Sequence, residues 1–363
     1  MRTIFFLVPG TTGRFRCGGL LVELQTARLL EKVFDVKIVT YRQREDGYLF
    51  LDDVLNSYDA KFIRNKAAII DELWIVSWGF DVTWLLKRLK KYPVAYHAHS
   101  SGYGFSMPPG IPILAVSRNT LGYWGDRAPR NPLFLVPNAL DSRWLQYGST
   151  LCDASEVLTS STKAVNLRPV DVLVQKRKNS PYVLDQLVPA LRSKGLNVKV
   201  QDGWVDDLVQ LFAGSKVVIY DSADYWRTVG VSEGFGLPPI EALTCGCVIF
   251  SSLNHALADN LDPFFYGHQI GQGTMQADLD RIESAIMNPS LWRASNNQLK
   301  LLIDAHSEES SLNRWLFAID QIETHYRRIL VNQEAPLKSK TKWRLRAEAV
   351  LKKIDKLVSS LKP

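Results

Sequence analysis

The stretch Glu233–Cys247, EGFGLPPIEALTCGC, gathers the groups that could hold an anion beside a polyol. Gly234 and Gly236 let the backbone turn tightly and approach a ligand closely, and Pro238 and Pro239 pre-set the first turn of a following helix. Such a helix start turns free backbone N–H groups and a positive dipole end outward, which suits a diphosphate. Glu233 before the loop and Glu241 just inside the helix bracket it. Each can accept hydrogen bonds from hydroxyl groups, one from a sugar and the other from a ribose. Read alone, the same string is also an ordinary strand–loop–helix connection, with Glu241 merely favoured by the helix dipole.

A diphosphate also needs cations, and QKRKN at Gln175–Asn179 supplies them at a strand end. An Arg fork and a Lys point charge are the usual devices for phosphate oxygens, so Arg177 and Lys178 are the candidates. Lys176 stands beside them, and a solvated charge cluster is the plainer reading. His97 and His99 in YHAHSSGYG (Tyr96–Gly104) are either satisfied histidines at a strand end or site groups. His99, directly before Ser100 and Ser101, is the stronger candidate. Neither has a third ligand at recognisable spacing, and Asp52-Asp53 and Asp206-Asp207 fall in helical or loop patterns. The expectation is therefore no metal and no other cofactor.

The whole string around Glu233 resembles the donor-site signature of the retaining glycosyltransferases of family 4, in which two glutamates enclose a GFGLP-type loop. The resemblance runs from about Met1 to Leu330, with further segments in the family's order. Cys17–Gly19 looks like its first Gly-rich loop, Tyr96–Gly104 like its histidine loop, AVSRNT (Ala115–Thr120) like its SRxT segment and VPNALD (Val136–Asp141) like its PNGVD segment. It implies the GT-B fold and transfer of a sugar from a nucleoside-diphosphate sugar to a glycan or lipid-linked acceptor, with retention at the anomeric carbon. Glu233, His99 and His97 would be the catalytic set, Glu233 orienting the donor sugar. Arg177, Lys178, Gly234, Phe235, Gly236, Leu237, Glu241, Gly18 and Gly19 would bind the donor. Two features depart from the family. Arg177 and Lys178 are adjacent rather than spread over a GR…KG pattern, and Ser222–Ser232 is longer than the family's connection. That interval, with Tyr225, Trp226 and Arg227, is an acceptor or sugar-selecting loop or an ordinary insertion.

The elements that must position these residues follow an α/β alternation. Strands are expected at Ile4–Val8, Val36–Thr40, Leu73–Val76, Val94–His97, Ile113–Val116 and Phe134–Val136, with helices at Gly19–Val33 and Val82–Lys91. A second series has strands Val170–Val174, Val198–Gln201, Val217–Tyr220 and Cys247–Phe250 and helices near Tyr182–Ser193, Asp206–Ala213 and Ile240–Cys245. Helices near Leu291–His306 and Leu312–Leu330 come next. The expectation is two Rossmann-like, doubly wound parallel sheets facing across a cleft: residues 1–160, a linker over about 142–168, and a nucleotide-sugar domain over 161–306. A helix over 307–336 and a tail over 337–363 complete the chain.

Composition narrows the classes further. With 363 residues, 46% apolar, the chain can bury a large core, and the run Ile4–Val8 is too short for a secretory or membrane segment. Four cysteines without paired spacing exclude a zinc or disulfide framework and fit a reducing cytoplasm. Of the 44 Lys and Arg, nine lie in Leu337–Pro363 against two of the 37 acidic residues, so the body holds 35 of each sign. A neutral body argues against nucleic-acid binding. In the tail, Trp343, Ala347, Val350, Ile354, Leu357 and Leu361 define an apolar face flanked by cations. That suits the inner face of an anionic membrane, a packing or coiled-coil helix, or a frayed terminus. A nucleotide-sugar epimerase and a non-catalytic nucleotide-sugar-binding protein are the competing functions.

Overall fold

The computed structural model describes residues 2–62, 71–157, 168–262, 266–330 and 342–360. Two wholly parallel sheets dominate it. The first has the order β3-β2-β1-β4-β5-β6-β7. Its strands are β1 (Thr3–Val8), β2 (Asp35–Thr40), β3 (Leu49–Phe50), β4 (Glu72–Val76), β5 (Val94–Ala98), β6 (Ile113–Ala115) and β7 (Leu133–Leu135). The second has the order β12-β11-β10-β8-β9, built from β8 (Val170–Gln175), β9 (Val198–Gln201), β10 (Ser215–Tyr220), β11 (Val248–Ser251) and β12 (His268–Gln269).

The strands are continuous apolar runs because both faces of each sheet are covered. Along β1, Ile4 and Phe6 enter one core while Phe5 and Leu7 enter the other. In β8, Val172 and Val174 face one layer and Leu173 the opposite one. The period of two is thus kept with apolar residues at every position, as a helix-covered parallel sheet requires.

Each sheet reverses its strand order once, and the gap left there is where an open α/β sheet receives ligands. In the first sheet the reversal lies between β1 and β4, so the Gly-rich loop after β1 and helix α1 (Gly18–Leu30) stand over it. In the second it lies between β8 and β10. There the Lys176–Lys178 turn follows β8, and the segment containing Glu233 follows β10. The architecture is GT-B.

The helices number, after α1, as α2 (Leu51–Phe62), α3 (Val82–Arg88), α4 (Arg118–Arg127), α5 (Ser142–Val157), α6 (Val188–Ser193), α7 (Leu208–Ala213), α8 (Ala223–Val229), α9 (Leu237–Thr244), α10 (Leu257–Asn260), α11 (Met275–Met287), α12 (Asn296–Ala305), α13 (Glu308–Leu330) and α14 (Lys342–Ser360). One placement differs from the sequence expectation. Much of the expected linker is α5, whose Trp144 joins Phe235 and Ile240 in the core of the second unit and lies 5.7 Å from Phe212. Residues 158–167 of that linker lie outside the described residues. Helix α13 returns to the first sheet: Trp315, Ala318 and Ile322 pack with Ile4 and Phe6, and the Tyr326 hydroxyl donates to the Val94 carbonyl at 2.6 Å. The chain therefore crosses between the units twice, and the crossings touch, since Leu140 N donates to the His306 carbonyl at 2.9 Å.

Of the basic tail, α14 is described, with Trp343, Val350, Leu351 and Ile354 exposed; residues 337–341 and 361–363 lie outside the described residues. No described helix is long and apolar enough to cross a membrane.

Candidate active site

After β10, α8 ends at Gly230 in the left-handed region (φ +77°), and the chain then runs through Ser232, Glu233 and Gly234 into α9. Gly236 caps α9 with φ +83°, which a side chain at that position would oppose, and Pro238 and Pro239 occupy its first turn without losing a needed donor. The backbone N–H groups of Gly234, Phe235, Gly236 and Leu237 donate to no described residue. The loop thus offers a row of free donors at a helix start. The Phe235 side chain is buried against His306, and Leu237 packs on the same core, so these two residues present only their backbone to the loop.

Glu233 is 5% exposed. One carboxylate oxygen accepts from the Tyr220 hydroxyl at 2.6 Å and from Trp226 Nε1 at 2.7 Å; Lys178 Nζ stands 3.6 Å from the other. Lys178 also lies 4.7 Å from the Trp226 ring centroid. Burial, then the Glu233 charge, pushes the Tyr220 phenol far above its ordinary range, so Tyr220 stays a donor. Of the three cations after β8, Lys178 alone reaches Glu233. Lys176 pairs with Asp202 at 2.6 Å, and Arg177 is exposed, with no ion pair to a described residue.

The first unit meets this loop directly. Ser101 N donates to Ser232 Oγ at 2.9 Å, Ser232 N donates to the Ser101 carbonyl at 3.0 Å, and the Ser100 hydroxyl donates to the Ser232 carbonyl. A β-carbon on Gly234 would fall 1.4 Å from the His99 carbonyl oxygen; one on Gly102, itself at φ +100°, would fall 2.7 Å from the Gly230 oxygen. Gly19 at the start of α1 stands beside the His99 ring, its β-carbon position 4.0 Å away. Gly19, His99 and Gly234 therefore form one line of contact across the cleft.

His97 and His99 share a carboxylate that sequence reasoning passed over. Glu23, on the buried face of α1, takes His97 Nδ1 at 2.7 Å and stands 3.5 Å from His99 Nε2. Burial opposes the Glu23 charge, but the charges and hydrogen bonds of both histidines outweigh it and hold the carboxyl below its ordinary range. Burial in turn lowers the His97 pKa. The ligand-type atoms of the three residues lie within 4.8 Å of one another, so the third donor that spacing along the chain does not reveal comes from α1. Two imidazoles and a carboxylate are a donor set that suits a divalent transition metal. The signal available in the sequence was a carboxylate in register with Leu20, Ala27 and Leu30 on the core-facing side of α1.

Glu241 lies half-buried inside α9. Burial, helped by the Asp141 charge and opposed by Lys178 and Arg143, pushes its carboxyl up to about 7. Away from the loop, a cavity of about 470 Å³ lined by Arg44, Glu45, Tyr48, Phe50 and Asp53 opens in the first unit. It borders the Gly-rich loop, since Glu45 accepts from the Thr11 backbone N–H at 2.9 Å.

The fold defines the class: a GT-B protein, with a row of unpaired backbone N–H groups at the start of α9 in its second unit. No family model matches the chain, and no curated protein matches it in sequence. Solved structures do match in shape. Sucrose-phosphate synthase from Thermosynechococcus elongatus superposes with a TM-score of 0.58 at 14% identity, over 92% of this chain and 100% of that one. A glycosyltransferase from Rickettsia africae gives 0.59 at 12% identity, over 88% and 98%. Anabaena Alr3699/HepE in complex with UDP-glucose gives 0.57 at 14% identity, over 88% and 100%.

Two outcomes are expected. Gly234→Ala forces the His99 and Gly234 loops apart and should cost about 2–3 kcal/mol in chemical denaturation; unchanged stability would contradict the contact. For Glu241, the folded pKa of about 7 lies above the ordinary 4.5, so its contribution to stability is full below pH 4.5 and fades as pH rises through 7. Glu241→Gln should flatten that fall in a profile of melting temperature against pH, and a profile parallel to wild type would assign the slope to another group.

Proposed function

We propose that the chain is a retaining glycosyltransferase of the family 4 type, moving a sugar from a nucleoside-diphosphate sugar to a glycan or lipid-linked acceptor. The observation that carries this reading is the juxtaposition, at one strand-order reversal, of the buried Glu233, the four unpaired N–H groups at residues 234–237 and the Lys178 ammonium. The shared fold with Alr3699/HepE in complex with UDP-glucose makes a UDP-sugar the first donor to try.

In this reading the diphosphate lies along the amides of the donor loop, with Lys178 turning from Glu233 toward its oxygens. The bond from the anomeric carbon to the phosphate oxygen breaks, and the negative charge that builds on the leaving group meets fixed dipoles and a cation rather than a metal ion. The acceptor oxygen bonds to the anomeric carbon from the same face, and its proton passes to the departing phosphate oxygen. Glu233 holds sugar hydroxyls in place of the donors that now occupy it, Glu241 takes the ribose, and His99 meets the sugar or acceptor from across the cleft. His97 holds Glu23, which keeps the His99 loop in position. Arg177, exposed beside Lys178, is available to a phosphate.

The basic helix α14, with Trp343, Val350, Leu351 and Ile354 exposed, is proposed to lie on an anionic membrane surface, which places the protein at the inner face of that membrane. Deleting residues 337–363 should weaken co-sedimentation with anionic liposomes, and equal sedimentation would remove the membrane assignment.

For the activity, UDP-, GDP- and ADP-sugars are screened for a rise in melting temperature, since a ligand held by the native state alone must stabilise it. With the donor so found and a glycan or lipid-linked acceptor, Glu233→Ala is expected to lose at least about a hundredfold in turnover while remaining folded. Full turnover by that variant would end the assignment. Product formed without any acceptor would favour the epimerase, and binding without turnover the non-catalytic protein.

A further inference from the structure

His255, in the turn after β11, has φ +52° and is the one non-glycine residue with positive φ among the described residues. A β-carbon makes that region unfavourable, so the turn is held there by its surroundings. Those surroundings are specific. The Glu233 backbone N–H donates to His255 Nδ1 at 3.3 Å, and Ala256 N donates back to the Glu233 carbonyl at 3.3 Å. A relay arrives from the other side: Ser222 N donates to Ser252 Oγ at 3.0 Å, the Ser252 hydroxyl donates to Asn254 Oδ1 at 2.7 Å, and Asn254 Nδ2 then lies 3.1 Å from His255 Nδ1.

These contacts fix the tautomer. A backbone N–H can only donate, so Nδ1 must present its lone pair, and the ring proton sits on Nε2. Asn254, with its oxygen already accepting from Ser252, turns its amide NH₂ to the same Nδ1, which agrees. Nε2 itself bonds to no described residue and is not sealed from solvent, the side chain being half-buried. A strained residue therefore supplies one oriented N–H next to Glu233, at the carboxyl end of a strand neighbouring β10.

We propose that His255 is a donor-binding residue, its Nε2–H donating to an oxygen at the sugar-diphosphate end of the nucleotide sugar. This rests on the function proposed above. A neutral N–H of fixed direction suits a hydroxyl or phosphate oxygen and rejects a ligand that offers only hydrogens there.

Two substitutions separate the two ring nitrogens. In His255→Asn the side-chain oxygen can stand where Nδ1 stands, and Asn tolerates positive φ, but the outer N–H is gone. In His255→Gln the amide can reach the Nε2 position while the inner acceptor is lost. By calorimetry with UDP-glucose, UDP, GDP-glucose and ADP-glucose, His255→Asn is expected to bind the preferred sugar nucleotide about tenfold more weakly at an unchanged melting temperature. His255→Gln should keep affinity within about threefold and melt earlier. A loss confined to UDP-glucose puts the contact on the sugar, and one shared with UDP puts it on the diphosphate; both support the assignment. Wild-type affinity in His255→Asn overturns it, as does a fall in affinity that follows melting temperature in both variants. A wild-type chain indifferent to every nucleotide in the series overturns the glycosyltransferase reading and this inference together.

Discussion

The seam between the two sheets rests on a backbone-to-backbone approach that only glycine permits. Gly234 lies against the His99 carbonyl and Gly102 against the Gly230 carbonyl, with Ser100, Ser101 and Ser232 laced between them. Loops from separate sheets have no reason to share a register unless something fixes it. Here hydrogen bonds between main chain and hydroxyl groups do so, with little side-chain bulk between. The placement of Lys178, Glu233 and the His99 ring relative to one another follows from that approach, because each is within a few residues of it or bonded to a group that is.

Both oxygens of the buried Glu233 carboxylate are met by partners at rest. Glu233 is too enclosed to stand alone as a carboxylate, and Tyr220, Trp226 and Lys178 supply the donors that make its burial tolerable. All three partners come from outside the loop motif: Lys178 follows β8, Tyr220 closes β10 and Trp226 sits on α8, in the stretch Ser222–Ser232. That stretch folds into a helix that delivers one indole N–H to the buried Glu233 carboxylate. Its aromatic ring also gives Lys178 a resting place.

Much of this was legible in advance, and the parts that were not share a cause. The long strands could be read because parallel strands covered on both faces are apolar at every position; β3 and β12, at two residues each, are too short to show any period. The loop after Glu233 could be read because Gly236 and the paired prolines are required by backbone geometry rather than by packing. Glu23 was hidden because a carboxylate on an apolar helix face reads as an interruption of the pattern until two histidines from β5 and its loop arrive beside it. The left-handed turn at His255 leaves little trace in residue type, since histidine enters that region more often than most side chains but still only rarely. The apolar stripe of α13 was plain, but a stripe does not say which sheet it will cover.

That return of α13 constrains how the molecule can move. The units are joined by two covalent crossings, near residues 137–141 and 305–311, and these are stitched together by the Leu140–His306 hydrogen bond, with His306 Nδ1 also 3.3 Å from the Asn138 carbonyl. A body hung on a single tether can swivel in any direction. One hung on a paired strap is confined to swinging about the line of that strap, so any opening of the mouth would keep the lateral alignment of its two lips.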